Sequence, residues 1–496
     1  MKTVPHSHTT VNEDRPAPPR VVVVGGGLAG LATAAALTGH DLQITMLESR
    51  PRLGGRAGSF VDPASGELVD NCQHVGMACC VNLIDFCERV GVAELFKRDP
   101  VIVFVGPDGR VSKMSAGRIP APFHLTASML KLSFLTFLDK LRIAYGMARL
   151  RFDGSGKPGE TFESWLKRHA QNDRTIERFW GSVLVSALNE RLDRMDIGHA
   201  RKVFFEGFLE NQLGYALDIP AAPLGEIYGV RMEEWLARKG VEVRLKTGVK
   251  RVEIDHESSV QGVILRSGER VEADFVIVAV PFDRIADMLQ TDENGISPAP
   301  KSIESIEASP ITGVHLWFDQ PVFPFAHAAI VGKTIQWVFN HTELQGREPE
   351  GQYLQIVISA SYDLVGRDNE SIKNLVIQEM SELWPEVSGA ILKRYRVVIE
   401  HGATFAVRPG VDSLRPPQRT AVDGLFFAGD WTDTGWPATM EGAVRSGYLA
   451  AEGVLDDLGR ARRLLKPDLP AGALARFLLG RKPNHRTTPG SSKTKK

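Results

Sequence analysis

A glycine-rich turn between an apolar strand and an alanine-rich helix constrains the fold of this chain more than any other feature. Gly25-x-Gly27-x-x-Gly30 directly follows the valine-rich run Arg20–Val24. In such a turn the first glycine permits the tight bend, the second lets a pyrophosphate approach the backbone, and the third lets helix and strand pack closely. Backbone amides at the helix N-terminus then bind the phosphates. The pattern predicts a βαβ dinucleotide-binding unit.

An acidic residue follows at the spacing expected for ribose binding. The next strand-like run, Gln43–Leu47, ends at Glu48, eighteen residues after Gly30, where a carboxylate accepts hydrogen bonds from ribose hydroxyls. The uncharged stretch 21–39 is nineteen residues long, and its length alone would allow a membrane span. Because three glycines divide it into strand, turn and helix, we reject that interpretation.

Two further segments indicate which dinucleotide is bound. Arg52-Leu-Gly-Gly-Arg56 resembles the second phosphate-binding turn of glutathione-reductase-type FAD proteins, whose arginine touches the pyrophosphate. The strand-like run Leu425–Ala428 is followed by Gly-Asp, and in those flavoproteins this aspartate contacts the ribityl or phosphate part of FAD. A helix then begins near Thr439, and its amino end stabilises negative charge on a reduced flavin. We therefore predict non-covalent FAD, bound by Gly25, Gly27, Gly30, Glu48, Gly54, Gly55, Arg56, Val249, Gly429, Asp430, Thr439 and Met440.

The rest of the pattern indicates a second domain interleaved with the first. A chain of 496 residues exceeds a single ordinary core. Short β-branched runs fill 241–280, a mainly helical pattern covers 76–224, and 301–400 mixes strands with a helix. The sequence predicts an α/β fold with a glutathione-reductase-type, Rossmann-like FAD-binding domain and an interleaved α+β substrate domain that faces the membrane. We assign 20–75, 225–300 and 415–460 to the FAD domain, 76–224 and 301–414 to the substrate domain, and 1–19 and 461–496 to disordered ends.

Composition narrows the partners. The formal net charge is -1, which disfavours nucleic acid because phosphate contacts need a clustered positive surface. Residues 461–496 nevertheless hold ten Lys or Arg and one acid. The first nineteen residues lack a signal-peptide core, so we expect a cytoplasmic protein. The cysteines lack the Cys-x-x-Cys spacing of soft-metal sites; we expect no metal and reduced thiols on the inner face of one helix, namely Cys72, Cys79, Cys80 and Cys87.

Residues 20–455 resemble the superfamily of flavin amine oxidases and phytoene desaturases. Within it, Asp70-Asn-Cys-Gln-His74 and Gly429-Asp-Trp-Thr-Asp-Thr-Gly-Trp-Pro-Ala-Thr-Met-Glu-Gly-Ala-Val-Arg-Ser-Gly447 are closest to the hydroxysqualene dehydroxylases of hopanoid biosynthesis, also described as squalene-associated FAD-dependent desaturases. The segments 336–340 and 119–124 are similar to that family as well. Cys72 departs from its pattern, since glycine is expected there, and this leaves the local backbone geometry open.

The resemblance implies reductive removal of the hydroxyl of hydroxysqualene to give squalene, with reduced FAD as hydride donor and NAD(P)H as the upstream reductant. No second G-x-G-x-x-G unit marks a nicotinamide site. A carotenoid desaturase, which runs the flavin in the oxidative direction, and another amine-oxidase-type enzyme stay open as alternatives. The intact glycines and Glu48 argue against the non-catalytic lipid carriers that share this architecture.

The resemblance also places His74 and Asp433 near the flavin. An allylic alcohol needs a proton or strong hydrogen bond as its C–O bond breaks. We expect His74 to supply it, because imidazole titrates near neutrality, whereas Asp433 would need burial to hold a proton there. A purely structural role, hydrogen bonding of the flavin loop, stays open for both. We expect Trp337 and Trp436 to line an apolar cavity that keeps water from the polyene.

The pattern of apolar and basic residues in 118–151 predicts that this segment attaches to an anionic membrane surface. The basic C-terminal tail is the predicted second contact. Basic residues there outnumber the single acid Asp139, and apolar residues recur at helical spacing, which suits a bilayer interface. A core helix with a solvated basic face is the alternative. The apolar set is Leu125, Met129, Leu132, Leu135, Leu138, Leu141 and Tyr145; the basic set is Arg118, Lys131, Lys140, Arg142, Arg149 and Arg151. The oligomeric state is not indicated.

Overall fold

The computed structural model describes residues 17–63, 65–153, 156–289, 299–346 and 351–480. Their first layer is a five-stranded sheet in which every neighbouring pair is parallel. In spatial order its strands are Glu242–Arg244, Gln43–Leu47, Arg20–Val24, Phe275–Val278 and Leu425–Phe427. All five fall within the segments that the sequence assigns to the FAD domain.

Two helices cover this sheet. All ten residues of Leu28–Leu37 are buried, and they pack against Met440–Asp457. The approach is close because a Cβ on Gly447 would overlap the carbonyl oxygen of Ala29. The central strand is buried on both faces, as a parallel sheet requires. An antiparallel meander joins the same domain, with strands Val249–Ile254, Val260–Leu265 and Arg270–Glu272.

The second layer is a seven-stranded, largely antiparallel sheet. Helix Asn369–Leu383 packs on one face through Ile372, Val376 and Met380. On the opposite face a Cβ on Gly313 would lie 3.2 Å from the carbonyl oxygen of Asn71, so this face approaches the FAD domain. The strands, in spatial order, are Leu392–Phe405, Ala308–Phe318, Gln352–Ser359, Trp337–Asn340, His327–Ile330, Ile102–Val105 and Val111–Met114.

Residues 76–224 are less helical than predicted. Besides the last two strands of the large sheet, they contribute Gly76–Met77, Phe96–Asp99 and Leu217–Pro220, which form a three-stranded sheet. Runs of two to four residues are too short for hydrophobic periodicity to reveal. A hairpin of Ser59–Val61 and Leu68–Asp70 lies in the FAD domain.

The remaining helices are mostly short. The α-helices are Val81–Val90, Thr126–Lys131, Phe137–Phe152, Phe162–Arg168, Asp173–Thr175, Ser182–Leu188, Ile197–Lys202, Arg231–Arg238, Ile285–Met288, His341–Leu344, Glu386–Gly389 and Ala473–Leu479. Three π-helical turns extend neighbouring α-helices: Ile176–Gly181, Val203–Leu209 and Glu226–Val230. Single 3-10 turns occupy Ala93–Leu95, Phe282–Arg284, Lys301–Ser305, Tyr362–Leu364 and Val411–Leu414.

The four cysteines do not share one helix face, contrary to prediction. Only Cys87 lies within helix Val81–Val90; Cys80 is its N-cap and Cys79 precedes it in a turn, while Cys72 lies in a separate segment. All four are free and buried. Burial raises the pKa of Cys72 and Cys87 to about 12, so these thiols stay protonated and pack as small apolar groups.

The predicted disorder of the C-terminal end is wrong for 461–480. Leu464 is buried against the FAD-domain core. Its backbone N–H donates to Glu452 Oε1 at 2.6 Å, and that of Lys466 donates to Asn82 Oδ1 at 2.8 Å. The helix Ala473–Leu479 follows. The predictions for 1–16 and 481–496 lie outside the described residues. Among the described helices, none has the length and apolarity needed to cross a bilayer.

Candidate cofactor and active site

Close packing fixes two glycines of the first turn. A Cβ on Gly25 would lie 2.5 Å from the carbonyl oxygen of Ala279, and the φ angle of Gly25 is +110°, where glycine is favoured. A Cβ on Gly30 would overlap the carbonyl oxygen of Gly25. Both positions need glycine for strand, turn and helix to pack together.

Gly27 borders open space instead. A Cβ there would meet only the Cα of Gly55, at 3.9 Å. Gly27 is also the N-cap of helix Leu28–Leu37. Because no side chain caps this helix, its first backbone amides are available to an anion. The second glycine turn closes on the first, since the Gly54 N–H donates to the Gly26 carbonyl at 2.8 Å. The resulting cradle fits the pyrophosphate of FAD.

The buried carboxylate of Glu48 lies beside this cradle. Its Oε2 accepts from the Gly26 N–H and its Oε1 from the Arg50 N–H, both at 2.7 Å. Oε1 also accepts from the Ser49 hydroxyl at 3.2 Å, so Oε2 is the oxygen that can accept a further hydrogen bond, as from a ribose hydroxyl. Val249, another predicted cofactor residue, is buried. It follows Thr247 by two residues, and the Thr247 N–H donates to the Glu48 carbonyl at 2.8 Å.

An ion pair joins the second and third motifs. Arg56 Nη2 lies 2.5 Å from Asp430 Oδ1, and Arg56 Nη1 donates to the Ala403 carbonyl at 2.7 Å. The preceding Gly429 donates its N–H to Ser446 Oγ at 2.8 Å. The fold thereby brings together two predicted cofactor residues that are 374 positions apart.

Arg415, which sequence reasoning missed, holds the loop of the third motif. Its buried guanidinium donates through Nη2 to the carbonyls of Thr432, at 2.6 Å, and Asp430, at 3.1 Å, and its Nη1 pairs with Asp412 at 2.9 Å. Two of its four acceptors are backbone carbonyls, and carbonyls leave no side-chain pattern in the sequence.

The following helix begins at Met440, with Thr439 as its cap. Thr439 Oγ1 accepts from the Gly442 N–H at 3.1 Å. Sequence reasoning also missed Glu441, whose buried carboxylate accepts from the Leu83 N–H at 2.7 Å and from Asn82 Nδ2 at 2.9 Å. Burial raises the pKa of Glu441. This carboxylate fixes the start of the cofactor-side helix to the first turn of Val81–Val90.

His74 is partly buried in the turn that follows the FAD motifs. Its Nδ1 lies 2.9 Å from the Cys72 carbonyl oxygen; because a carbonyl only accepts, Nδ1 carries the proton. Desolvation, together with the positive charge of Arg56, lowers the pKa of His74 despite this hydrogen bond. The ring is neutral at neutral pH and its Nε2 is an acceptor. This corrects the expectation that His74 titrates near neutrality as a proton donor.

An apolar cavity of about 190 Å³ adjoins this turn. Gln73, next to His74, lies on its wall, and so does Trp337 from the large sheet. The Trp337 and Phe339 rings stack with centroids 5.6 Å apart. The main apolar contributors besides Trp337 are Ile102, Phe104, Phe208, Leu217, Phe339 and Val357. A cavity of this lining accepts a hydrocarbon chain.

Asp433 and Trp436 lie in different surroundings from those predicted. Asp433 is exposed, so the burial that an acid role requires is missing. Trp436 is buried but is not on the wall of the apolar cavity. Its indole N–H donates to Asp468 at 3.2 Å, and the Lys202 ammonium lies 4.6 Å from its ring centroid. Trp436 therefore anchors the C-terminal segment. Among described residues, no group of three potential metal ligands occurs.

Comparison with known proteins identifies the fold and family. The flavin containing amine oxidoreductase family matches residues 28–455. The chain is 25% identical over 478 residues to the 15-cis-phytoene desaturase of Solanum lycopersicum, covering 91% of this chain and 81% of the relative. It is 26% identical over 479 residues to a probable zeta-carotene desaturase of Synechococcus elongatus, covering 88% and 98%.

Solved structures agree on the fold. An oxidoreductase from Methanosarcina mazei superposes with a TM-score of 0.66 at 18% identity, covering 88% of this chain and 100% of that one. Putrescine oxidase bound to putrescine superposes with a TM-score of 0.65 at 16% identity, covering 88% and 99%. The predicted α/β, FAD-binding fold is thereby confirmed.

Proposed function

The chain belongs to the flavin containing amine oxidoreductase family, and from this premise we propose that it reductively dehydroxylates hydroxysqualene to squalene. The observation that carries the proposal is the apolar cavity, whose wall includes Gln73 of the Asp70–His74 segment and Trp337 of the large sheet. Such a cavity suits the reacting part of a long isoprenoid and excludes water from it.

The reaction balances with two electrons. Bound FAD in its fully reduced form would supply the hydride and the proton that convert the lipid alcohol to hydrocarbon and water, as the C–O bond breaks and a C–H bond forms. Gly27, Gly54 and Gly55 would hold the pyrophosphate, Glu48 the ribose, and Arg56 with Asp430 the phosphate or ribityl part. NAD(P)H is the proposed source of electrons.

A second candidate is a carotenoid desaturase. It is supported by the Nδ1–H bond of His74 to the Cys72 carbonyl, which leaves Nε2 as an acceptor for the proton that desaturation removes together with a hydride. The lowered pKa of His74 makes it a weak base for this step. The phytoene and zeta-carotene desaturases among the relatives support it too.

One experiment separates the candidates. Purified protein is loaded with FAD; half is reduced anaerobically and given hydroxysqualene, and half is left oxidised and given phytoene. We expect squalene in a single turnover from the first half and no new conjugated double bonds from the second. Conversion of phytoene without conversion of hydroxysqualene overturns the proposal in favour of desaturation.

We also propose that the protein docks on an anionic membrane surface. The outer side of helix Phe137–Phe152 exposes an apolar stripe, with Phe137 66% and Phe152 77% exposed. Leu138, Leu141 and Tyr145 belong to it, whereas Leu125, Leu132 and Leu135 of the predicted apolar set are buried. Exposed Ile119, Phe123 and Leu130 extend the surface. Lys131 and Arg149 are exposed on the same segment, which suits anionic headgroups.

The helix Ala473–Leu479 adjoins this surface. Arg151 Nη2 donates to the Gly480 carbonyl at 3.4 Å, and Phe477 is 82% exposed. Ala475 of this helix is buried and Leu479 packs against the core, whereas Leu474, Phe477 and Leu478 are exposed. The two helices together present the apolar and basic face that an interfacial protein needs.

Vesicle flotation tests the docking. Wild type should float with vesicles containing phosphatidylserine and less with pure phosphatidylcholine. The double variant Leu138→Gln and Leu141→Gln should reduce binding about tenfold or more, since each leucine contributes ~1.5–3 kcal/mol on burial. Ile391→Gln is the matched control, because Ile391 is equally exposed at 67% outside these segments. Equal binding of all three proteins rules out this surface.

A further inference from the structure

Two side chains on the wall of the apolar cavity each carry one buried polar atom that has no hydrogen-bond partner among the described residues. Gln73 is 8% exposed, and its Oε1 is buried with no partner among the described residues. Its Nε2 makes only a long contact of 3.5 Å with the His74 carbonyl. Ser186, on helix Ser182–Leu188, likewise has a buried Oγ without a described partner. Both residues line the same cavity.

Such atoms are costly in an apolar environment. A buried acceptor or hydroxyl loses its water on folding and recovers the loss only when something hydrogen-bonds to it. The Gln73 amide oxygen needs a donor, whereas the Ser186 hydroxyl can donate. A single lipid hydroxyl carries both complementary groups, an O–H that can donate to Gln73 Oε1 and an oxygen that can accept from Ser186 Oγ. A pure hydrocarbon satisfies neither.

Another serine on the wall, Ser182, shows the contrast. Ser182 also lines the cavity, yet its hydroxyl donates to the Glu177 carbonyl at 3.3 Å. Its polar atom is therefore satisfied within the protein. Of the residues that line this cavity, only Gln73 and Ser186 have a buried polar atom without a partner among the described residues.

We propose that Gln73 and Ser186 form a hydroxyl-binding site that selects a lipid alcohol over the hydrocarbon of the same chain. This inference rests on the proposed function, which supplies the long isoprenoid, and adds the residues that distinguish oxygenated from oxygen-free chains. The site also favours release of the product, since a dehydroxylated chain leaves both polar atoms without a partner.

Equilibrium binding tests the site without catalysis. Oxidised, FAD-loaded protein is immobilised and its retention of radiolabelled hydroxysqualene and squalene is measured in detergent micelles. Wild type should prefer the alcohol by about tenfold or more, the range expected when a buried polar pair gains or loses its partner. Gln73→Met should abolish most of the preference without weakening squalene binding, and Ser186→Ala should reduce it. The matched control Ser182→Ala should keep it.

Several results would overturn the inference. Gln73→Met and Ser186→Ala could keep the full preference, or could weaken both lipids equally, which indicates packing. If Gln73→Met fails to retain FAD, Ser186→Ala on the substrate-domain helix decides alone. The proposed function can fail separately. If pre-reduced wild type yields no squalene but still prefers the alcohol in a way that depends on Gln73, the hydroxyl-binding site stands and the proposed reaction is wrong.

Discussion

At the residue scale, the cofactor cradle depends on the missing side chain of Gly27 and on the carboxylate of Glu48. Gly27 leaves space where a Cβ would meet only Gly55, while the Glu48 carboxylate is already oriented by the Gly26 and Arg50 amides. A preorganised acceptor and an open backbone approach are both needed, because a dinucleotide presents a charged pyrophosphate and neutral ribose hydroxyls to the same turn.

Substitutions at these two positions should weaken FAD binding by different routes. Gly27→Val fills the cradle, so we expect protein that purifies with little flavin. Glu48→Ala removes an acceptor for ribose and should weaken FAD binding by about tenfold or more, the effect of one hydrogen bond to a charged group at ~1.5–3 kcal/mol. Flavin absorbance per mole of protein measures both. Full yellow colour in Gly27→Val contradicts the assignment of the cradle.

The protonation state of His74 sets a second expectation. Its lowered pKa and its Nδ1–H bond to Cys72 leave no proton on Nε2 at neutral pH. We therefore expect His74→Ala, reduced and given hydroxysqualene at pH 7.5, to keep its FAD and to slow by less than about tenfold. A loss of ~10²–10⁴-fold, the usual contribution of an acid, shows that His74 is the proton donor after all.

The sign of the pH effect on stability follows from the same shift. A histidine whose pKa is lower in the folded protein binds its proton more readily when unfolded, so its contribution is lost as pH falls below about 6.5. Thermal melts of wild type should lose stability from pH 7 to pH 5 more steeply than melts of His74→Gln, which cannot titrate. Parallel curves contradict the assigned shift.

At the element scale, the helix Met440–Asp457 connects cofactor, sheet and cysteine-rich segment. Its N-cap Thr439 stands beside Glu441, which caps another helix by accepting from the Leu83 N–H. A carboxylate at this N-terminus complements the helix dipole, but burying its negative charge destabilises the folded protein. The acceptor geometry matters more than the negative charge.

Glu441 variants should separate these two contributions. Glu441→Gln keeps one acceptor oxygen for the Leu83 N–H but turns an amide NH2 toward Asn82 and Arg445, which donate to the other carboxylate oxygen. Arg445 still pairs with Asp468 at 2.8 Å, and we expect a loss of ~1–2 kcal/mol in unfolding free energy. Glu441→Ala leaves the Asn82 and Leu83 amides without an acceptor and should cost ~2–4 kcal/mol. Denaturant unfolding measures both. Equal losses would mean that the charge dominates.

At the scale of the whole molecule, the C-terminal segment 461–480 completes the fold. Leu464 is buried in the FAD-domain core, Asp468 bonds Trp436 and Arg445, and Gly472 donates to the Glu210 carbonyl at 2.7 Å. The segment thus crosses from the cofactor domain to the substrate domain and delivers the helix Ala473–Leu479 to the proposed docking surface.

Leu464→Ala should therefore destabilise the whole protein. Removing a fully buried leucine costs ~2–5 kcal/mol, whereas Leu474→Ala, at 36% exposure, should cost little. Thermal melts of the two variants give the comparison. A Leu464→Ala protein as stable as wild type would show that the segment only rests on the surface.

Much of the fold could be predicted from local patterns. The strands and the helix predicted within 301–400 include Gln352–Ser359 and Asn369–Leu383, and the helix predicted to begin near Thr439 appears as Met440–Asp457. Long amphipathic or β-branched runs carry their period in the sequence. The two-to-four-residue strands of 76–224 are too short to show such a period. The basic composition of 461–480 suggests a solvated tail, and its order depends on the burial of Leu464 in a core formed by distant residues.

The sequence by itself determined the glycine cradle, the acidic residue Glu48 beside it and the FAD-binding fold. These depend on contacts within a few residues or at fixed spacings along one βαβ unit. Only the tertiary structure decided what surrounds each reacting group. It paired Arg56 with Asp430, made His74 neutral, exposed Asp433, moved Trp436 away from the apolar cavity, and placed Gln73 and Ser186 on one wall. Protonation and partnership depend on burial and on residues distant in the chain, and these exist only once the domains have packed.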